Sequence, residues 1–239
     1  MGSLRDLRDL RGTAAGGVLR FPDGDVVVVS GLPGSGKSTL IRRTVPVRGG
    51  ACAVVSIDSQ DTRERWERAL PAWLPYGAYR PLVRLAHYAG LRRALASGAG
   101  VVVHDCGTQS WVRRWLAADA RRRGRALHLL LLDVPPETAL AGQAARGRGV
   151  SGYAFRRHLR AVRRLTADAE EDRLPRGTDT AVLMDRPAAE ALSEMVFAPV
   201  PEEFRTRTVP PPGRGDGTVR GDSEGRVSAA PGVSGPLPG

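Results

Sequence analysis

The chain has 239 residues, 41% of them hydrophobic, which is enough for one α/β domain with a sizeable core and flanking segments that need not fold. No run approaches the roughly 20 consecutive apolar residues that span a bilayer, and residues 1–10 lack the apolar core of a secretory signal, so we expect a cytoplasmic protein without a membrane segment. Two cysteines without metal-ligand spacing, Cys52 and Cys106, argue against a disulfide scaffold, while a formal net charge of +11 suits either an anion-recruiting surface or an Arg-rich solvated one.

The two ends of the chain differ in composition from its middle. Residues 1–20 mix Arg, Asp, Leu and Gly without a clear hydrophobic period, and the C-terminal end is dense in Pro and Gly with few large apolar residues. Segments of this composition do not bury enough apolar surface to fold by themselves. We therefore expect a flexible segment over 1–20, one working domain over 21–198 and a disordered tail over 199–239.

Short β-branched runs alternate with longer helical patterns inside the expected domain. In chain order, strands are predicted at 25–30, 52–57, 100–104, 127–133 and 180–184, and helices at 37–44, 60–70, 80–97, 109–123, 136–146, 151–169 and 187–195. The strands are continuously apolar, which is typical of strands that are covered on both faces. This alternation predicts an α/β fold, a three-layer α/β/α sandwich with a parallel, doubly wound sheet of about five strands, which binds ligands at the carboxyl ends of its strands.

A glycine-rich run follows the first predicted strand and opens the first predicted helix. It reads Gly31-Leu-Pro-Gly-Ser-Gly-Lys-Ser38, which has the spacing and the strand-to-helix setting of a phosphate-binding P-loop. Its glycines let backbone N–H groups approach phosphate oxygens at a helix N-terminus, while Lys37 is expected to reach the β- and γ-phosphates and Ser38 to ligate Mg²⁺. The residues expected to bind the nucleotide are Gly31, Gly34, Ser35, Gly36, Lys37, Ser38 and Thr39.

Residue usage narrows the class of P-loop protein. Lys37 is the only lysine among the 36 Lys and Arg residues, which suggests that a compact ammonium is needed there and leaves no lysine for the Asn-Lys-x-Asp signature of GTPases. The third predicted strand is followed by Asp105 and Cys106, whereas motor ATPases usually carry Asp-Glu at this point. A typical GTPase is therefore excluded and a motor ATPase is disfavoured.

Several segments together resemble one family. Besides the P-loop, they are Ser56-Ile-Asp58, Val102-Val-His-Asp105 with Arg113 after it, and the stretch 133–150, which contains Arg146-Gly-Arg148. Over residues 25–197 the chain resembles the P-loop kinase-like AAA family, which includes the polynucleotide 5′-kinase domain and the zeta-toxin-like kinases. The resemblance implies a P-loop NTPase fold of the kinase type, with ATP and Mg²⁺ as cofactors and an Arg-rich lid over the phosphates.

The same resemblance implies roles for side chains beyond the P-loop. Asp58 is expected to accept the proton of an acceptor hydroxyl or to orient that hydroxyl, and Asp105 to hold the metal-ligating serine and a Mg²⁺-bound water. Arg113 is a candidate contact to the substrate. Arg146 and Arg148 are candidates for clamping the transferring phosphoryl group, where a guanidinium stabilises transition-state charge.

The sequence also departs from the family, and other interpretations stay open. For Asp58, the alternative is a role as the N-cap of a helix. For Asp105, it is a capping or loop role. For the lid arginines, it is an ordinary solvated basic turn. Relatives usually carry an Arg about three residues after the first of these carboxylates, whereas Arg63 and Arg65 come later, and whether either contacts the substrate is open. Gln143 stands where relatives often carry another Arg.

The function that fits these observations is transfer of the γ-phosphate of ATP to a hydroxyl acceptor, either a small molecule or a nucleic-acid end. The alternative is a slow ATPase or nucleotide-dependent switch that binds a partner through its basic surface. Nucleic acid is a candidate partner because aromatic residues between 66 and 88 could stack on bases. The four histidines share no metal-ligand spacing, so no metal beyond nucleotide-bound Mg²⁺ is predicted: His87, His104, His128 and His158.

Overall fold

The structure of the chain is a computed structural model that describes residues 7–13, 17–45, 54–71, 73–104, 110–145, 147 and 149–199. Several residues singled out in the sequence lie outside these ranges: Cys52, Asp105, Cys106, Arg146 and Arg148. The expected tail lies outside them from residue 200 onward. The roles given to these residues therefore remain predictions.

Strands and helices alternate along the described ranges. The strands are β1 (Leu7–Asp9), β2 (Gly17–Pro22), β3 (Val26–Gly31), β4 (Val54–Ile57), β5 (Gly100–His104), β6 (Leu127–Leu132), β7 (Thr180–Met184) and β8 (Leu192–Ala198). The helices are α1 (Lys37–Thr44), α2 (Ser59–Ala69), α3 (Tyr76–Ala96), α4 (Ser110–Arg122), α5 (Pro136–Ala144), α6 (Gly152–Glu170) and α7 (Arg186–Ala191). None of these helices is long and apolar enough to cross a membrane.

The main sheet has six strands in the order β1-β7-β6-β3-β5-β4, and every pairing in it is parallel. The predicted parallel α/β fold is confirmed, and the five predicted strands are β3 to β7. The P-loop strand β3 lies between β5 and β6, and all of its residues are buried. Its run Val26-Val-Val-Val29 is continuously apolar because both of its faces are covered.

Alternate residues of β3 pack on opposite faces of the sheet. Val27 and Val29 pack in one cluster with α1, α7 and the small β2–β8 sheet, while Val26 and Val28 pack in another with α3 and α4. This period of two residues follows from the pleat of a strand. The carboxyl ends of the parallel strands lie on one edge of the sheet, and the P-loop follows β3 at that edge.

The helix predicted at 187–195 is wrong in its second half. Helix α7 ends at Ala191, and β8 begins at Leu192 and pairs in parallel with β2. The centres of the Phe21 and Phe197 rings lie 5.5 Å apart across this pair. The apolar residues of 192–198 fit a helical period as well as a strand, and the strand that decides between them lies near the other end of the chain.

The structure also differs from the expectation of a flexible segment over residues 1–20. Residues 7–9 form β1 beside β7, and residues 17–20 begin β2. The guanidinium of Arg11 lies 2.6 Å from Asp9, 2.9 Å from Asp133 and 2.7 Å from Glu170. The described parts of this segment show no clear apolar period, because their strands pair with β7 and β8, which lie far away in the sequence.

Gly100 begins β5 against the ring of Phe197, where an added Cβ would lie 2.4 Å from Cδ1. We expect Gly100→Ala to lower the free energy of unfolding by about 1–3 kcal/mol, because a methyl group forced into a packed core displaces its neighbours. Gly90→Ala, in α3 with open space around the added Cβ, is the control and is expected to stabilise by up to about 1 kcal/mol. Urea unfolding curves measure both, and an unchanged midpoint for Gly100→Ala would contradict this packing.

Candidate functional site

The P-loop joins β3 to α1, and its geometry suits an anion. Helix α1 begins at Lys37 after Gly36, whose φ of 98° is left-handed, and no side chain caps the helix. Its first turn holds no acidic residue, so the backbone N–H groups and the positive end of the helix dipole attract an anion. Gly34 permits close packing, since an added Cβ would lie 2.1 Å from the carbonyl oxygen of Ala139. Larger residues at these two glycines would distort the loop.

Lys37 is held inside the loop. Its Nζ donates to the carbonyl oxygens of Gly31 (2.9 Å) and Leu32 (2.7 Å), and only 3% of the residue is exposed. The hydroxyl of Ser35 in the same loop is buried without a hydrogen-bond partner among the described residues. A buried cation and an unsatisfied hydroxyl fit the binding of phosphate oxygens, which accept hydrogen bonds from both.

Asp58 lies between β4 and α2 and has partners on both carboxylate oxygens. Its Oδ1 accepts from the backbone N–H of Gln60 (2.9 Å), which makes it the N-cap of α2, and lies 2.8 Å from Nδ1 of His104. Its Oδ2 accepts from the hydroxyl of Ser38 at 3.2 Å. The helix cap and the contact to the P-loop therefore coexist in one side chain.

The surroundings of Asp58 keep it ionised. Burial by itself would raise the pKa of this carboxyl, but the hydrogen bond and charge of His104, with the donors of Gln60 and Ser38, lower the pKa below its ordinary value. In the same region, burial lowers the pKa of His87, so that ring is neutral at pH 7. The site thus contains a carboxylate that can accept a hydrogen bond or a proton from a hydroxyl group.

A cavity of about 290 Å³ opens beside His104, and we call it the His104 cavity. Arg113 and Arg63 both lie in its lining. Arg113 is 7% exposed, and the guanidinium carbon of Arg63 lies 4.2 Å from the centre of the Tyr76 ring. Arg65 is not part of this lining, and its Nε donates to a backbone carbonyl of its own helix. The cationic side chains of the lining are Arg63, Arg80, Arg84 and Arg113. No described residue of the lining is acidic.

Sequence considerations alone assign no role to His104 or His87, yet both line this cavity. In the register of the sheet, Ile57 of β4 pairs with Val103 of β5, so the next residue of each strand comes to the same edge. Those next residues are the carboxylate and the imidazole that form the close pair. The pair formed by Asp58 and His104 can be identified only once β4 and β5 are known to be neighbours, and no local sequence pattern shows that they are.

A second cavity, of about 270 Å³, adjoins the P-loop itself. Gly34, Gly36 and Thr39 form one side of its lining, and side chains from the end of β6, from α5 and from α7 form the rest. Apolar and charged groups are mixed there, including Val134 and Arg186. The space can accommodate the nucleoside part of a nucleotide whose phosphates lie in the loop.

The oxygen ligands near the loop suit Mg²⁺. Within the described ranges, no group of three His, Cys, Asp or Glu residues could hold a metal ion by itself. The hydroxyl of Ser38 and the carboxylate of Asp58 are ligands of the type that Mg²⁺ prefers, and this ion usually takes further ligands from phosphates and water. The residues present therefore fit the expected ion.

Helix α5 packs against the P-loop. The buried Gln143 donates from Nε2 to the carbonyl oxygen of Pro33 (3.0 Å), and its Oε1 accepts from the backbone N–H of Val150 (2.9 Å). An added Cβ on Gly142 would lie 2.4 Å from the carbonyl oxygen of Gly34. The glutamine that replaces the family's usual Arg thus connects the P-loop to the end of the segment that holds the candidate lid arginines.

We expect Gly142→Ala to weaken ATP binding by about tenfold or more, because backbone atoms of the P-loop would have to move to admit the methyl group. Leu140→Ala, at an exposed position of the same helix, is the control and is expected to leave the affinity unchanged. Isothermal titration of ATP measures both variants. Equal affinities would contradict the inference that the contact with α5 shapes the nucleotide site.

Comparisons with known proteins identify similar P-loop and kinase proteins. A family model described as an AAA domain matches residues 26–172. No curated protein matches the chain. Among solved structures, a putative kinase from Chloroflexus aurantiacus is 17% identical, with 71% of this chain and 88% of that chain covered and a TM-score of 0.44.

Two further solved structures are similar at the same distance. A sugar kinase from Janibacter sp. is 19% identical over 70% of this chain and 90% of that chain, with a TM-score of 0.38. The tunicamycin resistance protein of Deinococcus radiodurans is 14% identical over 61% of this chain and 82% of that chain, with a TM-score of 0.37.

The family model covers more than half of the chain, and its span includes the P-loop, Asp58, His104 and Arg113. The parallel sheet and the uncapped helix N-terminus after β3 agree with that match. The chain therefore belongs to the AAA domain family, as a P-loop kinase-like protein.

Proposed function

We propose that the chain is a Mg²⁺-dependent phosphotransferase that moves the γ-phosphate of ATP to a hydroxyl group of an acceptor. The observation that carries the proposal is the position of Asp58, whose carboxylate contacts Ser38 of the P-loop and His104 of the His104 cavity at once. A carboxylate at that point adjoins both an anion-binding loop and a cavity large enough for part of a second substrate.

In the proposed reaction, the acceptor oxygen bonds to the γ-phosphorus while the bond between that phosphorus and the β–γ bridging oxygen breaks and ADP leaves. The hydroxyl proton passes to the carboxylate of Asp58. Phosphoryl transfer depends mainly on positioning and charge stabilisation, so this carboxylate does not need a raised pKa. Its lowered pKa keeps it in the accepting form at neutral pH.

The remaining residues supply charge and alignment. Lys37 would offer its ammonium to the β- and γ-phosphates, and Arg113 would orient the acceptor from the wall of the His104 cavity. Arg146 and Arg148 would add the guanidinium groups of the lid. These contributions stabilise negative charge on the transferring group without any covalent step by the protein.

The metal would be held by Ser38 with Asp58 beside it, and Asp105 is expected to complete the site. When bound, Mg²⁺ supplies charge neutralisation between the β- and γ-phosphates. The hydroxyl of Ser38 contacts a carboxylate oxygen of Asp58, so these two side chains could reach one ion.

Formation of ADP with and without a panel of nucleosides, 5′-hydroxyl oligonucleotides, sugars and antibiotics tests the proposal. We expect one class of acceptor to raise the rate of ADP formation well above the rate without acceptor. The alternative, a slow ATPase or switch, predicts a rate that no acceptor changes, or a rate that a partner raises without forming a phosphorylated product.

A further inference from the structure

Two further cavities adjoin the His104 cavity along α3 and α6. A neighbouring cavity of about 360 Å³ shares Arg80 and Arg84 with it, and a third, of about 430 Å³, shares Tyr153 and Arg157 with the second. We call these three adjoining cavities the arginine groove. Its exposed arginines are Arg80, Arg84, Arg156, Arg157, Arg160 and Arg164.

Six arginines give the arginine groove a positive charge that ion pairs with the described residues do not balance, whereas Arg63 of its lining is paired with Glu67 and is not one of the six. None of its described lining residues is Asp or Glu, and none of its six exposed arginines makes an ion pair within the described part of the chain. Other helices do pair their arginines along the helix, as in Arg122–Asp119 of α4 and Arg186–Glu190 of α7. Helix α6 has no acidic residue between Gly152 and Arg164 with which to do so.

The arginine-bearing face of helix α6 is directed outward because the opposite face packs on the core. Phe155, Val162 and Leu165 are buried in a cluster with Leu32, the residue that follows β3. The arginines occupy the opposite side of the helix and are exposed. Packing against the core therefore fixes a row of guanidinium groups along the groove that make no ion pair with the described residues, and their mutual repulsion favours a bound polyanion.

Flat aromatic rings lie among these charges. Tyr153 is 72% exposed and Trp111 is 51% exposed, and both line the middle of the groove. These two exposed rings stand between guanidinium groups, so their faces are available to stack on the bases of a bound ligand. A polyanion with aromatic bases combines both requirements.

We propose that the arginine groove binds a single-stranded nucleic acid, with its phosphates on the arginines and its bases stacked on Tyr153 and Trp111. A duplex has its bases already stacked on each other, and an acidic membrane offers no rings to stack on. Because the groove includes the His104 cavity, which lies next to Asp58, the end of the strand is then the acceptor of the phosphoryl group. This last step rests on the proposed function, whereas binding does not.

Fluorescence anisotropy with a short labelled single-stranded oligonucleotide, without ATP, tests the binding. An abasic strand of equal length keeps the phosphates and removes the bases, and a duplex of the same sequence hides them. We expect the abasic strand and the duplex to bind at least about tenfold more weakly than the single strand, and Tyr153→Ala to weaken single-strand binding by about 5- to 100-fold.

The charge contribution is tested with two pairs of substitutions that remove the same number of charges. Arg157→Ala with Arg160→Ala lies in the groove, while Arg92→Ala with Arg114→Ala lies outside it. We expect only the groove pair to weaken binding and to reduce the slope of log affinity against log salt concentration by about 1.4, or about 0.7 for each lost phosphate contact.

Three results would overturn the proposal: equal weakening by both pairs, equal binding of the abasic strand, or tighter binding of the duplex. They would leave the phosphotransferase proposal intact, since none of these measurements uses ATP. Conversely, the single strand could bind tightly while no phosphate from labelled ATP is transferred to its end. That result would retain the groove as a binding site and would exclude the strand as the acceptor.

Discussion

Replacing Lys37 by alanine is expected to slow phosphoryl transfer by a factor of about 10² to 10³, because the transferring group loses a preorganised cation. The ammonium is buried and held by the carbonyl oxygens of Gly31 and Leu32, so it is positioned before any phosphate arrives. Single-turnover measurement with saturating ATP separates this loss from weaker binding.

Lys37→Arg is expected to be almost as defective as the alanine variant. The guanidinium is larger and planar, and the lysine that it replaces is 3% exposed between two backbone carbonyls. Arg42→Ala, at an exposed position of the same helix, is the matched control and should transfer phosphate at the wild-type rate. Wild-type rates in both Lys37 variants would contradict the role given to the P-loop.

Replacing Asp58 by asparagine is the second substitution with a large expected effect. Asparagine caps a helix as well as aspartate does, so α2 should keep its N-cap while the site loses a negative charge and a proton acceptor. We expect the rate of transfer to fall by about 10² or more with a stable fold. Asp61→Asn, three residues later in α2 and exposed, is the matched control and should change the rate little.

The sign of the pH dependence follows from the lowered pKa of Asp58. Because the folded protein holds this carboxyl ionised more strongly than the unfolded chain does, the stabilisation is complete above the ordinary value of 3.8 and is lost as pH falls through the lower folded value. The difference in unfolding free energy between wild type and Asp58→Asn should therefore shrink below about pH 4. A difference that grows on acidification would contradict this assignment.

Much of the fold was predictable because its signals are local. The strands β3 to β7 are short apolar runs that stand out in any window, and the P-loop glycines follow β3 at fixed spacing. Strand β1 and the small β2–β8 sheet were not predictable in the same way. Their residues are mixed in polarity, and each strand is stabilised by a partner from a distant part of the chain.

The residues of the candidate site likewise divide into those that a local motif predicts and those that depend on contacts between distant parts of the chain. Lys37 and Ser38 follow from motif spacing, and Asp58 follows from its place after a strand in a family pattern. The pairing of Asp58 with His104 depends on β4 and β5 being neighbours in register, which no local pattern encodes. The arginine groove depends on which face of α6 packs on the core, together with the proximity of α3 and α4.

Transfer of label from [γ-³²P]ATP to an acceptor, compared between wild type and Asp58→Asn, tests the central claim most directly. The account predicts that label appears on one class of hydroxyl acceptor, requires Mg²⁺, and is lost in Asp58→Asn while Asp61→Asn retains it. Release of inorganic phosphate alone, at a rate that Asp58→Asn leaves unchanged, would contradict the claim that this site is a phosphotransferase.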